Sequence, residues 1–171
     1  MYYELKQEVY DGLKKICMDV WAAGESMSVN AMLMKLMDMK DLPMHCPYHH
    51  FIVPAAMLTQ TAVKEKRSED QLAQWLDVAE ERGRTVPAGF CGECGTCGSA
   101  VGAGIFLSIY TGATPKSVEN WQHVNELTAR CLLDIAAYPG PRCCKRTSFL
   151  AVNAALPYIN EKYQLGLEED K

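Results

Sequence analysis

The chain has 171 residues, eight of them cysteine, and a formal net charge of −4. A chain of this length can bury a core without disulfide bonds, and its negative charge argues against general binding to nucleic acids or anionic membranes. No stretch reaches the roughly 20 apolar residues of a membrane span, and the first residues lack the apolar segment of a signal peptide. We therefore expect a cytoplasmic protein with one domain over residues 1–171, whose reduced thiols serve metal binding or redox chemistry.

Apolar residues recur at helical spacing along most of the chain and predict an all-α fold of about seven helices, packed as a single irregular bundle. The expected helices cover residues 2–21, 28–37, 47–64, 68–83, 99–110 and 117–138, and a last one from residue 141 to the acidic tail. Cys17 and Cys131 fall on apolar helix faces, where a free thiol packs as a small hydrophobic group. These two cysteines are expected to belong to the core.

A first cluster of histidine and cysteine lies in residues 45–50, with the sequence HCPYHH. Pro47 suits the first position of a helix, which makes Cys46 the capping residue and places His49 and His50 in the first turn. Residues three and four apart share a helix face, so Cys46 and at least one histidine face the same direction. They are candidates for a site. The alternative is that the histidines only cap a helix or satisfy a buried carbonyl.

A second cluster is the glycine-rich segment that carries Cys91, Cys94 and Cys97 and then becomes apolar. Each Cys-x-x-Cys step turns two sulfur atoms toward a common point, and the intervening glycines permit the tight turns this needs. Cys97 is expected at a helix N-terminus, where free N–H groups and the helix dipole favour a thiolate. The spacing matches the first three ligands of a bacterial-ferredoxin motif, but Val101 occupies the fourth place. A further ligand must therefore come from another cluster.

A third cluster, PRCCKR, covers residues 141–146. Cys143 and Cys144 are expected in the first turn of the last helix, where the helix N-terminus and nearby cations both stabilise a thiolate. Adjacent side chains on a helix diverge by about 100°, so one of the two thiols can face a site while the other packs. Three basic residues are candidates for holding a cofactor or an anionic substrate: Arg142, Lys145 and Arg146.

If the helix ends that carry the three clusters pack together, their thiols converge on one pocket. An iron–sulfur cluster is the preferred interpretation, 4Fe–4S over 2Fe–2S, because soft thiolates beside cations suit it. A zinc site of Cys and His ligands, a metal-free thiol redox or sulfur-transfer enzyme, and a helical partner-binding protein are the alternatives. The predicted metal ligands are Cys91, Cys94, Cys97, Cys46 and Cys144.

The candidate catalytic residues are Cys144, His49 and His50, with the histidines as proton carriers, outer hydrogen-bond donors or alternative ligands. Redox or group-transfer chemistry is expected, so an oxidoreductase or a transferase is the enzyme class under consideration. The expected partner is a small molecule or a redox protein, and a homodimer is left open.

Four motifs stand out when the chain is considered as a whole: HCPYHHF at 45–51, GFCG with CG and GAGIF within 89–106, TGATP at 111–115 and PRCCKR at 141–146. In combination they resemble an uncharacterised family of bacterial and archaeal proteins, which occur alone or attached to methyltransferase-like domains. Cys94 is less typical of that family. The resemblance implies no established activity, but it implies a shared site at Cys46, His49, His50, Cys91, Cys97 and Cys144.

Overall fold

A computed structural model describes residues 4–40 and 42–169. Of these residues 69% are helical and none forms a strand, so the predicted all-α fold is confirmed. Within the described ranges there are eight helices, one more than the seven expected. They are α1 (Gln7–Ala22), α2 (Val29–Met37), α3 (Tyr48–Lys64), α4 (Glu69–Arg84), α5 (Phe90–Glu93), α6 (Gly98–Thr111), α7 (Glu119–Ala136) and α8 (Cys144–Tyr163). None of these eight is both long and apolar enough to cross a lipid bilayer.

Capping side chains fix the starts of two helices. Ser28 Oγ accepts a hydrogen bond from the Ala31 N–H before α2, and Ser68 Oγ accepts one from the Gln71 N–H before α4. Each bond satisfies one of the free N–H groups of a first turn. The last helix begins at Cys144, three residues later than predicted, because Cys143 has an extended backbone (φ −138°, ψ 106°).

The extra helix and the late start of α1 are two further differences from the sequence-based bounds, and up to α7 the remaining helix ends differ from the expected ones by two residues or fewer. Residues 90–93 form the short helix α5, where the sequence analysis expected only a loop. The first helix begins at Gln7 instead of residue 2. Of the predicted residues before it, 2 and 3 lie outside the described part of the chain. Helix α3 continues through Pro54 to Lys64 as one helix.

Helix α6 is the centre of the bundle and contacts α3, α4, α7 and α8. Residues 102–107 are all buried, and the helix is apolar around its whole circumference, as is typical of a helix inside a core. Gly104 allows a close approach to α7, because a Cβ there would lie 2.2 Å from Thr128 Oγ1. Helix α3 packs against α6 and also contacts α1, α2 and α4.

Two cysteines lie in the core as predicted. Cys17 on α1 and Cys131 on α7 are both 0% exposed. The Cys131 thiol donates a hydrogen bond to the carbonyl of Ala151 on α8 at 3.3 Å. Burial raises the pKa of both thiols to about 12, so they are protonated at neutral pH.

Candidate functional site

A cavity of about 700 Å³ lies where the N-terminal ends of α3, α6 and α8 meet. Further lining comes from the segment 87–92, which covers the first three residues of α5, and from the C-terminal half of α7. Cysteines from all three sequence clusters line this one cavity: Cys46, Cys91, Cys97 and Cys144. His49, His50, Arg142 and Arg146 line it too. The structure therefore brings together residues that are far apart in the sequence.

Two predicted site residues do not line the cavity. Cys94 is exposed, because α5 ends at Glu93 and Cys94 has a non-helical backbone (φ −123°, ψ 6°) that breaks the register of Cys91. Lys145 points elsewhere, and its Nζ donates a hydrogen bond to the Met37 carbonyl at 3.4 Å. Cys143 also lies outside the lining, as expected for the neighbour of an inward-facing Cys144.

The four thiols surround the cavity without forming a closed ligand set. Within residues 4–40 and 42–169, no three side chains of His, Cys, Asp or Glu are grouped so that they could hold one metal ion together. The metal centre inferred from the Cys-x-x-Cys spacing accordingly stays a prediction. Whether these side chains suit a metal ion depends on the protonation state and the hydrogen bonds of each one.

Among the possible metal ligands in the cavity, His49 has the most clearly defined hydrogen bonding. Its side chain is 0% exposed, and Nδ1 lies 3.1 Å from the carbonyl oxygen of Cys46. Because a carbonyl only accepts hydrogen bonds, Nδ1 carries the proton and Nε2 keeps its lone pair. Nε2 is buried and has no hydrogen-bond partner among the described residues. Burial lowers the pKa of His49 to about 4, so a neutral imidazole is available to a metal ion or to a hydrogen-bond donor on a ligand.

The Cys46 thiol lies beside this histidine. Its Sγ is 3.4 Å from His49 Nδ1 and donates a hydrogen bond to the Pro43 carbonyl at 3.2 Å. Burial raises the pKa of Cys46 to about 11, and burial also raises the pKa of Cys144 above its usual value. Both thiols are therefore protonated at neutral pH, and a bound cation would be needed to convert them to thiolates.

His50 is held between α4 and α6. Its Nδ1 lies 3.1 Å from the Val86 carbonyl, which places the proton on Nδ1. Burial also lowers the pKa of His50. The ring lies against Gly98, the first residue of α6, where a side chain would collide with it. His50 is thus positioned by a backbone bond on one side and by a glycine on the other.

A group of buried hydroxyls ties α6 to α8 at the cavity, and the sequence analysis did not identify it. Ser99 Oγ lies 3.2 Å from Thr147 Oγ1 and 3.3 Å from Ser148 Oγ. Thr147 and Ser148 each donate to the carbonyl of Cys144, at 3.2 and 2.8 Å. With both of these hydroxyls donating to Cys144, the single proton of Ser99 is donated to one or the other of them, and this contact holds the start of α8, and with it Cys144, against the start of α6. The only sequence signal was hydroxyl residues two to four positions after a cluster cysteine in apolar helices.

Apolar side chains of α7 form another part of the lining that the sequence analysis missed. They include Leu132, Leu133 and Ala136, followed by Tyr138 just after the helix. Leu133 is 74% exposed and Tyr138 is 52% exposed, so this part of the lining faces solvent. Leu133 lies beside the buried stripe of α7, which is why periodicity alone gave it no role.

The fold and the cavity define an all-helical protein with a partly open cavity that is lined by cysteine and histidine. The chain belongs to a family described as a family of unknown function (DUF5714), whose model matches residues 14–171. The predicted membership in an uncharacterised family is consistent with this match. The attachment of relatives to methyltransferase-like domains stays a prediction. Comparisons with curated proteins and with solved structures found no match.

Proposed function

We propose that the protein binds an iron–sulfur cluster in this cavity and acts in redox or group-transfer chemistry. The observation that carries the proposal is the presence of Cys46, Cys91, Cys97 and Cys144, from separate segments of the chain, around one cavity. Four cysteine thiolates are the common ligand set of such clusters. Cys94 has no part in this set, because its side chain is exposed outside the cavity. When bound, the cluster would supply one-electron transfer or an iron site for a substrate.

The electrostatics of the cavity support an anionic, thiolate-bound group. The residues that precede α3, α6 and α8, which are Pro47, Cys97 and Cys143, provide no side-chain cap for the first-turn N–H groups. Those N–H groups and the positive helix ends favour negative charge nearby. Arg142 and Arg146 add two cations, and no carboxylate among the described residues lines the cavity. Such surroundings offset the charge of a thiolate-ligated cluster.

A zinc site is the second candidate, and the specific observation in its favour is the free Nε2 lone pair of neutral His49. Zinc in proteins is held by combinations of cysteine thiolates and histidine nitrogens. A metal-free catalytic thiol has less support at this position. Burial keeps both members of the Cys46–His49 pair uncharged, whereas a nucleophilic pair needs a thiolate beside an imidazolium.

Metal analysis of anaerobically purified protein tests the proposal. We expect a brown protein with iron and acid-labile sulfide, and an electron paramagnetic resonance signal after reduction. Changing any one of the four cavity cysteines to serine should reduce the iron and sulfide content strongly. Cys94→Ser and Cys143→Ser are matched controls, because each lies next to or near a proposed ligand but outside the cavity lining.

The possible outcomes separate the candidates. Loss of iron in the four cavity variants with retention in both controls supports the cluster. Zinc without iron, lost on changing His49, supports the second candidate and overturns the first. Equal metal content in all six cysteine variants, or no metal in any preparation, contradicts both.

A further inference from the structure

Arg142 differs from the other arginines of the described chain. Arg67, Arg84 and Arg130 each pair with a glutamate, and Arg82 donates to Ser108. Within residues 4–40 and 42–169, Arg142 makes no hydrogen bond or ion pair, although it lines the cavity. Arg142 is itself an exposed residue, and it lines the cavity together with Cys46, Cys144 and His50. It is a cation at the cavity with no counter-ion from the described chain.

Arg146 also lines the cavity, but unlike Arg142 its guanidinium is hydrogen-bonded within the protein. Its Nη2 atom donates hydrogen bonds to the carbonyls of Pro139 and Pro141 at 3.1 and 3.2 Å. These bonds hold the turn that precedes Arg142. The backbone that carries Arg142 is therefore fixed, while the Arg142 guanidinium is left available to a ligand.

The apolar part of the lining suggests the rest of that ligand. Leu132, Leu133 and Ala136 from α7, with Phe90 from α5, give the cavity an apolar wall. An exposed leucine such as Leu133 at the edge of a cavity costs free energy in water, and a bound apolar group would recover part of it. A volume of about 700 Å³ lies within the range of small-molecule sites, which are mostly apolar with a few polar groups that set orientation.

We propose that the cavity binds a small organic anion with an apolar body, whose acidic group pairs with Arg142 and whose apolar part lies on the α7 wall. This inference deepens the proposed function: binding of the anion does not itself require the cluster, but a role of the ligand at the cluster rests on the proposed function, because the two would share the cavity. The ligand would then be a substrate or a regulator of the iron–sulfur cluster. Arg142 recognises the acidic group of the ligand, because no acidic side chain of the described cavity lining competes for the guanidinium.

Calorimetric titration with octanoate and with 1-octanol tests the charge requirement, since the two probes share an apolar chain and differ in the acidic group. We expect octanoate to bind at least about tenfold more tightly, because a charge-assisted hydrogen bond to a guanidinium discriminates by this much or more. Arg142→Gln should remove the preference. Arg67→Gln is the matched control, an arginine outside the cavity, and should keep it. Leu133→Ser should weaken both probes equally.

Equal affinity for the two probes, no binding of octanoate, or an unchanged preference in Arg142→Gln would each overturn the inference. Running the titrations on iron-loaded and on iron-free protein separates its failure from that of the proposed function. Arg142-dependent octanoate binding in a protein that never takes up iron leaves this inference standing and removes the cluster. Iron uptake without a preference for octanoate removes this inference and leaves the cluster.

Discussion

The imidazole of His50 lies against Gly98 so closely that a Cβ at position 98 would be 2.1 Å from His50 Cδ2 and 2.3 Å from Nε2. The ring has little freedom to move away, because its Nδ1 is bonded to the Val86 carbonyl at 3.1 Å. The pair sets how closely the first turn of α3 approaches the start of α6. It therefore also sets the separation of the cavity residues that those two helix ends carry.

Gly98→Ala should displace the His50 ring or push α6 away from α3. We expect a loss of about 1–3 kcal/mol in the free energy of unfolding, the usual cost of overpacking, together with reduced metal uptake. Urea denaturation and metal analysis measure the two effects. Gly92→Ala is the matched control from the same region, because a Cβ there meets nothing within 4 Å. Equal stability and metal content in the two variants would contradict the prediction.

The eight cysteines should differ sharply in reactivity toward iodoacetamide. Cys94 is exposed and should be alkylated in the native protein, whereas Cys17 and Cys131 are buried. Their thiols, with pKa values of about 12, should react only after unfolding. Mass spectrometry after brief labelling, with and without guanidinium chloride, gives the order. Labelling of Cys17 as fast as Cys94 in native protein would show that α1 does not pack as described.

Glu80 should hold α1 to α4 in a pH-dependent way. Its carboxylate lies 2.7 Å from Lys14 Nζ and 2.7 Å from Arg84 Nη2, and Gln7 Nε2 donates to it at 3.0 Å. Burial acts to raise the pKa of Glu80, but these hydrogen bonds outweigh burial and hold the pKa below its usual value. We expect Glu80→Gln to cost about 2 kcal/mol at pH 7.

Because the folded-state pKa is depressed, the stabilisation by Glu80 is present above the unfolded-state pKa and is lost as the pH falls through the folded value. The difference in unfolding free energy between the native protein and Glu80→Gln should therefore shrink below about pH 4. Asp77→Asn is the control, since Asp77 also binds Lys14 but is more exposed, and it should cost much less. A difference that does not change with pH would show that the carboxylate charge is not what stabilises the contact.

The tautomer of His49 can be measured directly in the metal-free protein. The hydrogen bond from Nδ1 to the Cys46 carbonyl predicts that Nδ1 is protonated and Nε2 is not. Long-range proton–nitrogen NMR spectra at pH 7 distinguish the two nitrogens. We expect the Nε2 resonance to move when a metal or a hydrogen-bonding ligand enters the cavity. A proton found on Nε2 in the metal-free protein would contradict the assignment.

The sequence indicated which helix ends carry the thiols, because proline, glycine and capping signals act locally. Cys97 as the residue before α6 and the shared direction of Cys46 and His49 follow from such local geometry. Cys94 could not be placed in the same way, since its direction depends on where the four-residue helix α5 ends. The role of α7 as the apolar wall of the cavity could not be predicted from the sequence either. Leu133 has no periodic signature, and only the packing of α7 beside the cavity gives it a role.

The position of Cys144 at the start of α8 has a consequence for biosynthesis. The ribosome makes the residues of α3, α5, α6 and α7 that line the cavity before it reaches this last thiol. A nascent chain without α8 has an incomplete cavity wall around Cys46 and Cys97, which are buried in the complete fold. Any cofactor that needs all four sulfur atoms can therefore be bound completely only after Cys144 has been translated, when the cavity-lining residues of α3, α5, α6 and α7 have already been synthesised.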